Sequence, residues 1–372
     1  MILLNDFKAQ WIDIGPAVLS VVERVGASGW YVLGSEVNNF EARLAEAWSL
    51  PYAVGVANGL DAIEIGLRSL GLKAGDKVLT TPISAFATTL AVMRCGGVPV
   101  FVDTDHSGLM DLQLARSALC ADRSIRFVVP VHLYGHSIDL DELENLRAEF
   151  DLQIVEDCAQ AIGARWDGRP VGSVGQVAAV SFYPTKNLGA MGDGGAILTR
   201  DPGVETRARA LRNYGQTETY VHDEVGMNSR LDEIHAAILG DVCLPRLSVW
   251  TARRREIASV YRDRIQGAVS VVPSPSRSES VWHLFPVLAP ASKRELLRTR
   301  MRERGILTAV HYPKLIPEQK ALHDYGRFEV IGNLDCARRL ADGEVSLPIH
   351  PYLKPAEVSA VCDVIQEWQA QC

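Results

Sequence analysis

The chain has 372 residues and a net charge of −7, and 47% of its residues are hydrophobic and 22% charged. This composition excludes collagen-like, low-complexity and largely disordered chains, and the acidic charge gives no general attraction to nucleic acid or to anionic membranes. At roughly 150 residues per domain, the length predicts two domains.

The cysteine pattern and the first residues indicate a cytoplasmic protein. The seven cysteines are scattered and form no CxxC pair, a pattern that argues against a disulfide framework and against a zinc site. The N-terminus lacks a basic segment followed by an apolar one, and no run of 18 apolar residues predicts a spanning helix. We therefore expect reduced thiols, no metal and no membrane association.

Short apolar runs alternate with helical periodicity over the first two thirds of the chain. Helices are predicted over 37–50, 60–72, 86–97, 111–119 and 141–150. Apolar strands are predicted over 52–59, 77–82, 98–103, 125–135, 152–157, 177–184 and 194–199. This alternation is typical of βαβ units, and it predicts an α/β fold with a parallel sheet.

The character of the sequence changes near residue 244. A charged helix over 250–265 and a strand over 282–289 are followed by another helix and a short strand over 306–313. We therefore predict a large α/β domain over 1–244 and a smaller C-terminal α+β domain over 245–372, with the boundary placed to about ten residues.

Two charged residues follow strands of the predicted sheet, at the edge where ligands bind in open α/β folds. Asp157 ends the strand 152–157, where it can either meet a ligand cation or cap a helix. Gln160 can either complete a capping box with Asp157 or face the same pocket. Lys186 lies in a glycine-rich loop after an apolar strand that would lower the pKa of its amine, although lysines are mostly solvated on the surface.

Asp157 and Lys186 together fit one cofactor, pyridoxal phosphate (PLP). A lysine binds its aldehyde as a Schiff base, and a carboxylate keeps its ring nitrogen protonated. Its phosphate favours a helix N-terminus and a small hydroxyl, which the start of the helix at Gly59 and the side chain of Ser181 can offer. Phe86 could cover the ring, although an aromatic residue there is more often part of the core.

The chain resembles the nucleotide-sugar aminotransferases of the DegT/StrS family, which are fold-type I PLP-dependent transferases. The resemblance runs nearly end to end, and its most specific motifs are IVEDCAQA (154–161) and SFYPTKNLGAMGDGG (181–195). Other matching segments are VANGLDAIEIGL (56–67), GMNSRLDEIHAA (226–237) and VHYP (310–313). The resemblance implies a large domain with a mostly parallel, seven-stranded type of sheet flanked by helices, plus the smaller C-terminal domain.

The resemblance also implies roles for residues at the cofactor. Lys186 would bind PLP and shuttle the proton, Asp157 would pair with the ring nitrogen, and Gln160 would contact the ring hydroxyl. Phe86 would stack on the ring, while Ser181 would hold the phosphate.

The phosphate site departs from the family at one position. Gly59 and its neighbours would bind the phosphate, but the family usually has Thr or Ser where this chain has Leu60. Leu60 keeps the backbone N–H and lacks the hydroxyl, so phosphate binding would depend more on Ser181 and on Asn228. In the family, the residue that matches Asn228 reaches the phosphate from the neighbouring subunit of a homodimer.

The loop GDGG (192–195) resembles that of enzymes that aminate C-3 of 3-oxo sugars, above all dTDP-3-oxo-6-deoxyhexoses. The implied activity is transfer of an amino group from L-glutamate to such a sugar, in amino-sugar biosynthesis for a cell-surface glycan or a secondary metabolite. Tyr183, His311 and Tyr312 are the expected contacts to the hexose, whose hydroxyls need such donors and acceptors.

Other functions remain open at this point. The substrate could be a 4-oxo sugar or a UDP-linked 3-oxo sugar, and a PLP-binding regulator without turnover is a further alternative. A nicotinamide-dependent oxidoreductase would require GxGxxG after the first strand, whereas the sequence there is VANGLDA (56–62).

Overall fold

A computed structural model describes residues 1–370. Its helices are α1 Phe7–Ser28, α2 Ser35–Trp48, α3 Gly59–Ser69, α4 Phe86–Arg94, α5 Leu112–Ala121, α6 Leu140–Phe150, α7 Pro202–Leu211, α8 Glu233–Ala237, α9 Leu247–Arg264, α10 Arg294–Glu303, α11 Lys320–Tyr325, α12 Asp335–Gly343 and α13 Pro355–Ala370. Its strands are β1 Tyr52–Val56, β2 Lys77–Thr80, β3 Val98–Phe101, β4 Phe127–Val129, β5 Gln153–Asp157, β6 Arg165–Trp166, β7 Arg169–Pro170, β8 Val177–Ser181, β9 Gly195–Thr199, β10 Gln216–Glu218, β11 Val221–His222, β12 Ser270–Val271, β13 Ser278–Glu279, β14 Phe285–Leu288, β15 Glu329–Val330 and β16 Glu344–Leu347.

The main sheet has the strand order β1-β9-β8-β5-β4-β2-β3-β15. Every pair from β8 to β15 is parallel, whereas β9 runs antiparallel to both β1 and β8. The prediction of a mostly parallel sheet flanked by helices is confirmed, with seven strands drawn from the first 199 residues. The two-residue strand β15 adds an eighth at the edge, and it is too short to be recognised from a sequence pattern.

Helices cover both faces of this sheet because its strands are apolar on both sides. On one face Val54, Val155 and Val177 pack with residues of α3, α4 and α7. Their neighbours along the same strands point to the opposite face, where Ala53 and Ala178 pack with α1 and α2. The carboxyl ends of β1, β5 and β8 therefore open at one edge, between the two helical layers.

A second core forms in the C-terminal part. Strands β12, β14 and β16 make an antiparallel sheet, and residues of α9, α10 and α13 pack with it. The strand expected over 306–313 is wrong, since this segment makes only two isolated bridges, from Ile306 to Ile2 and from Ala309 to Ser346. Because its residues pair with two different segments, no continuous ladder forms.

The expected domain boundary near residue 244 lies inside a continuous helical segment. Residues 233–264 are helical without a break, through α8, a π-helical segment, a short 3-10 turn and α9. The C-terminal part also contributes β15 to the main sheet. The division into 1–244 and 245–372 stays a prediction.

Two further features bear on the environment of the protein. Among residues 1–370, no helix combines the length and the apolar character needed to cross a membrane. The six cysteines that the structure describes are all free. The cytoplasmic location stays a prediction.

Candidate active site

The start of α3 and the end of β8 meet at one edge of the sheet. Asn58 caps α3, and its side chain accepts a hydrogen bond of 2.8 Å from the N–H of Asp61. A Cβ atom on Gly59 would lie 2.6 Å from the Cβ of Ser181, so only glycine fits there. The free N–H groups of this helix end and the Ser181 hydroxyl therefore form a cradle suited to a phosphate. Leu60 is half-buried at the second position of the helix.

Asp157 is buried at the end of β5 and is held by two hydrogen bonds. Its Oδ2 accepts from the hydroxyl of Thr88 at 2.7 Å, and its Oδ1 accepts from the N–H of Ala159 at 3.0 Å. No α-helix begins directly after Asp157 in the described chain, so the capping-box alternative is wrong. The carboxylate is instead oriented from β5 into the edge of the sheet.

Gln160 links three elements around Asp157. Its Oε1 accepts from the N–H of Tyr134 at 2.7 Å, and its Nε2 donates to the hydroxyl of Tyr312 at 3.2 Å. The Tyr134 hydroxyl in turn donates to the carbonyl of His311 at 2.8 Å. The segment of His311 and Tyr312, which comes from the C-terminal part, is thereby attached to the edge of the main sheet.

Lys186 is half-buried in the loop between β8 and β9. Burial lowers the pKa of its amine to about 8, and the negative charge of Asp157 opposes that shift. A lysine with a lowered pKa is the type of amine that forms Schiff bases. The direction agrees with the lowering expected for this amine, and its cause is burial.

The pKa values of His311 and Tyr312 are both shifted, chiefly by burial. Burial and the charge of Lys186 lower the pKa of His311 to about 4, so its ring is neutral at pH 7. Burial, followed by the charge of Asp157, raises the pKa of Tyr312 above its ordinary value. The charges of Lys186 and Asp157 thus act on the two residues that were expected to contact the hexose.

The remaining predicted site residues are placed at the rim or on the surface. Phe86 begins α4 and is half-buried against a small apolar cluster that includes Phe101. Tyr183 is 52% exposed, and its N–H donates to the Ser181 hydroxyl at 3.3 Å. Asn228 is exposed, and its backbone pairs with Asn213. Within the described chain the side chain of Asn228 makes no hydrogen bond, although the next residue, Ser229, accepts one from the N–H of Ala57 at 3.0 Å.

Sequence reasoning missed Thr88 and Tyr134. Thr88 lies in the first turn of α4, two residues after Phe86, and α4 follows β2. Its closeness to Phe86 in the sequence could therefore have indicated a place at the site. Tyr134 contributes to the site through its backbone N–H and its hydroxyl, from a 3-10 turn inside the stretch predicted as strand.

Glu156 precedes Asp157 on β5 and points the other way, into a buried cluster with His132 and Cys158. Its two oxygens accept from His132 Nε2 and from the N–H groups of Gly172, Val174 and Gly175, at 2.6 to 2.8 Å. With four hydrogen bonds already made, this carboxylate connects a loop to the strand.

Comparison with known proteins assigns the family. A model described as the DegT/DnrJ/EryC1/StrS aminotransferase family matches residues 13–366. The chain belongs to that family. This aminotransferase is 40% identical over 368 residues to the dTDP-3-amino-3,4,6-trideoxy-alpha-D-glucose transaminase of Streptomyces venezuelae, covering 98% of this chain and 95% of the relative.

Two further similarities bear on activity. The aminotransferase is 36% identical over 365 residues to a pleiotropic regulatory protein of Geobacillus stearothermophilus, covering 98% of this chain and 97% of the relative. Its structure is similar, with a TM-score of 0.94 and 39% identity, to S. venezuelae DesV in complex with a ketimine intermediate, covering 99% of this chain and 98% of the other. The prediction of a PLP-dependent aminotransferase is confirmed.

The residues at the sheet edge fit PLP. The cradle that a Cβ on Gly59 would fill suits the phosphate, the amine of Lys186 suits the aldehyde, and the buried carboxylate of Asp157 suits a protonated ring nitrogen. Each of the three polar groups of PLP, namely its phosphate, its aldehyde and its ring nitrogen, thus has a matching residue at this edge.

Proposed function

We propose that this aminotransferase moves the amino group of L-glutamate to a nucleotide-linked 3-oxo deoxysugar, in two half-reactions, as a step of amino-sugar biosynthesis for a cell-surface glycan or a secondary metabolite. The observation that carries the proposal is the half-buried Lys186, whose pKa burial lowers to about 8 and whose amine feels the charge of the buried Asp157 carboxylate. The S. venezuelae relative is named for a dTDP-linked sugar whose amino group is at C-3, and this name supports the choice of substrate.

Each residue at the cofactor has a defined task. PLP, when bound, supplies an electron sink for the carbon that loses its proton. The amine of Lys186 would bind the aldehyde of PLP, and the same amine would hold and move the proton at the substrate carbon. The carboxylate of Asp157, oriented by Thr88, would pair with the ring nitrogen and keep it protonated.

The other cofactor contacts orient the ring. The N–H groups at Gly59 and Leu60 and the hydroxyl of Ser181 would hold the phosphate. Gln160 would contact the ring hydroxyl, and Phe86 would stack on the ring.

The sugar binds on the side of the C-terminal segment. Neutral His311 and the hydroxyl of Tyr312 bind hexose hydroxyls, and the exposed Tyr183 closes over the sugar from the opposite loop. Because the Tyr312 hydroxyl already accepts from Gln160, it is positioned to donate to the substrate.

We further propose a homodimer with shared active sites. The Asn228 side chain is exposed and makes no hydrogen bond within the described chain, which leaves it available to the phosphate site of a second copy. Large apolar side chains are exposed on α1 and just after it, among them Trp11, Ile12 and Trp30. Large apolar side chains that a single chain leaves exposed are typical of protein-protein interfaces.

The test separates the two half-reactions. The purified protein is loaded with L-glutamate until the absorbance of lysine-bound PLP disappears, and excess donor is removed. It is then mixed with a panel of 3-oxo and 4-oxo nucleotide sugars. We expect the absorbance to return with dTDP-3-oxo-6-deoxyhexoses and not with 4-oxo sugars, and Lys186→Ala serves as the inactive control.

The same panel tests the other candidate functions. Return of the absorbance with only a 4-oxo sugar, or with only a UDP-linked 3-oxo sugar, would contradict the proposed substrate and keep the aminotransferase. The name of the Geobacillus relative favours a regulator as the second candidate. Binding of PLP without response to glutamate or to any oxo sugar would favour that function.

A further inference from the structure

A buried carboxyl group, a hydroxyl and the ring of His311 form a continuous chain of hydrogen bonds next to the Lys186 pocket. Glu344 and Ser346 lie two residues apart on β16, so their side chains share one face of the strand. The Ser346 hydroxyl lies 2.5 Å from Glu344 Oε1 and 2.8 Å from His311 Nδ1. The other carboxyl oxygen, Oε2, accepts from the backbone N–H of His311 at 2.6 Å.

This arrangement leaves one ring nitrogen of His311 for a ligand. Nδ1 is occupied by Ser346, and Nε2 has no hydrogen-bond partner among residues 1–370. Nε2 is not fully buried, so a ligand can reach it. The Lys186 charge acts on this ring, so the ring lies near the amine that is proposed to serve the substrate.

We propose that Glu344 and Ser346 act as positioning residues that set the tautomer of His311, and thereby decide whether its Nε2 donates or accepts a hydrogen bond at the substrate. This inference rests on the proposed sugar-binding role of His311. It adds a reason for two fully buried polar residues that touch neither cofactor nor substrate.

The two states follow from counting protons along the chain. When Glu344 is ionised, the Ser346 hydroxyl donates to Oε1, so it can only accept from Nδ1–H, and Nε2 is left as an acceptor. When Glu344 gains one proton from solvent, it donates to Ser346, which then donates to Nδ1. The single ring proton of His311 then lies on Nε2, which becomes a donor.

The charges around Glu344 allow both states near neutral pH. Burial raises its pKa to about 8, and the hydrogen bonds from Ser346 and His311 and the charges of Arg294 and Arg298 on α10 oppose that rise. Tyr134 and Tyr312 also feel its charge, and both have raised pKa values chiefly because they are buried. The charge of Lys186 acts on the His311 ring, and His311 in turn is one of the charges that, after burial, lower the pKa of His283.

The experiment observes the tautomer directly. Holoenzyme labelled with ¹⁵N-histidine is titrated by NMR on both sides of pH 8, and His311→Gln assigns the signal. We expect the ring proton of wild-type His311 to move from Nε2 to Nδ1 as the pH rises. Glu344→Gln cannot ionise, and its amide can only donate to Ser346, so His311 should keep the proton on Nε2 at every pH. Ser346→Ala should abolish the pH-dependent switch.

Kinetics supply the second readout. In Glu344→Gln, the pH dependence of kcat/KM for the oxo sugar should flatten on the alkaline side, while the half-reaction with glutamate is unchanged. Glu64→Gln is the control, because Glu64 is another buried carboxyl group, and it pairs with Arg94 instead.

Either of two results would overturn the proposal. One is a His311 tautomer that still switches with pH in Ser346→Ala, and the other is one that does so in Glu344→Gln. If Glu344→Gln does not fold, the Ser346→Ala spectrum decides alone. The NMR result does not depend on turnover. If no sugar in the panel restores the absorbance, that result would count against the proposed function, and the effect of Glu344 and Ser346 on the His311 tautomer would still be decided by NMR.

Discussion

Thr88 is a single residue on which the orientation of Asp157 depends. Its hydroxyl donates to Asp157 Oδ2 at 2.7 Å, and both groups are buried. Because a hydrogen bond to a charged group contributes about 1.5–3 kcal/mol, we expect Thr88→Ala to weaken PLP binding roughly tenfold or more. Fluorescence titration of the apoprotein with PLP measures the change.

The adjacent residue provides the control. Thr89 is also buried, and its Oγ1 has no hydrogen-bond partner among the described residues. Thr89→Ala should bind PLP as the wild type does, and Thr88→Ser should restore binding. Equal affinities of Thr88→Ala and wild type would show that the hydroxyl does not orient the carboxylate.

The lowered pKa of Lys186 predicts the pH dependence of cofactor attachment. The amine must be neutral to attack the aldehyde, and its pKa is about 8. The rate at which PLP recombines with apoprotein should therefore rise through pH 8 and level off above it. Asp157→Asn removes the charge that holds this pKa up, so the midpoint should move to lower pH. Stopped-flow absorbance gives both profiles, and a midpoint near the ordinary lysine pKa would contradict this account.

Residues of the site differed in how far the sequence could reveal them. Asp157 and Lys186 follow apolar strands, so their position at the sheet edge could be deduced from local pattern alone. Glu344 and Ser346 are polar residues within a short strand far along the chain, and no local pattern shows that β16 lies beside His311. Long-range contacts of this kind depend on how the C-terminal part packs.

At the scale of elements, Glu156 connects β5 to the loop over 172–175 and to His132. Although burial alone would raise the pKa of Glu156, the bonds from His132 and from Gly175 and Gly172 lower it. A lowered pKa means that this stabilisation is present above the ordinary pKa of glutamate and is lost as the pH falls. We expect Glu156→Gln to reduce the free energy of unfolding by about 3 kcal/mol at neutral pH, because its amide would face two donors.

Urea unfolding at several pH values tests this connection. The difference between Glu156→Gln and wild type should shrink as the pH falls, since the wild type then loses the charged acceptor. Glu144→Gln is the comparison, because Glu144 makes an exposed ion pair with Arg169, and it should leave stability unchanged. A difference that is constant with pH would show that the charge of Glu156 is not responsible.

The elements that escaped sequence analysis share a physical cause. Helix α1 has no strong amphipathic pattern, because Trp11, Ile12 and Leu19 are exposed while Ile14 and Val18 are buried. The strand expected over 125–135 is shorter, since the ladder covers only Phe127–Val129, Val131 makes an isolated bridge to Asp157, and Leu133–Gly135 forms a turn. The α/β repeats could be predicted since burial on both faces gives continuous apolar runs, whereas irregular segments have no period to detect.

At the scale of the whole molecule, the exposed apolar side chains on and just after α1 support the proposed homodimer. The single chain leaves Trp11, Ile12 and Trp30 exposed, and it leaves the Asn228 side chain exposed and without a hydrogen-bond partner among the described residues. A two-fold dimer would bury the first set and deliver the asparagine to the partner's site, so one arrangement accounts for both.

Mixing two inactive variants tests this shared site. Lys186→Ala lacks the amine and Asn228→Ala lacks the phosphate contact, so each homodimer should have little activity. If Asn228 acts across the interface, a mixed dimer holds one site with both native residues, and random reassembly should recover about one quarter of wild-type activity. If Asn228 serves its own chain, no site in the mixture has both residues, and the activity of the mixture should equal the mean of the two variants.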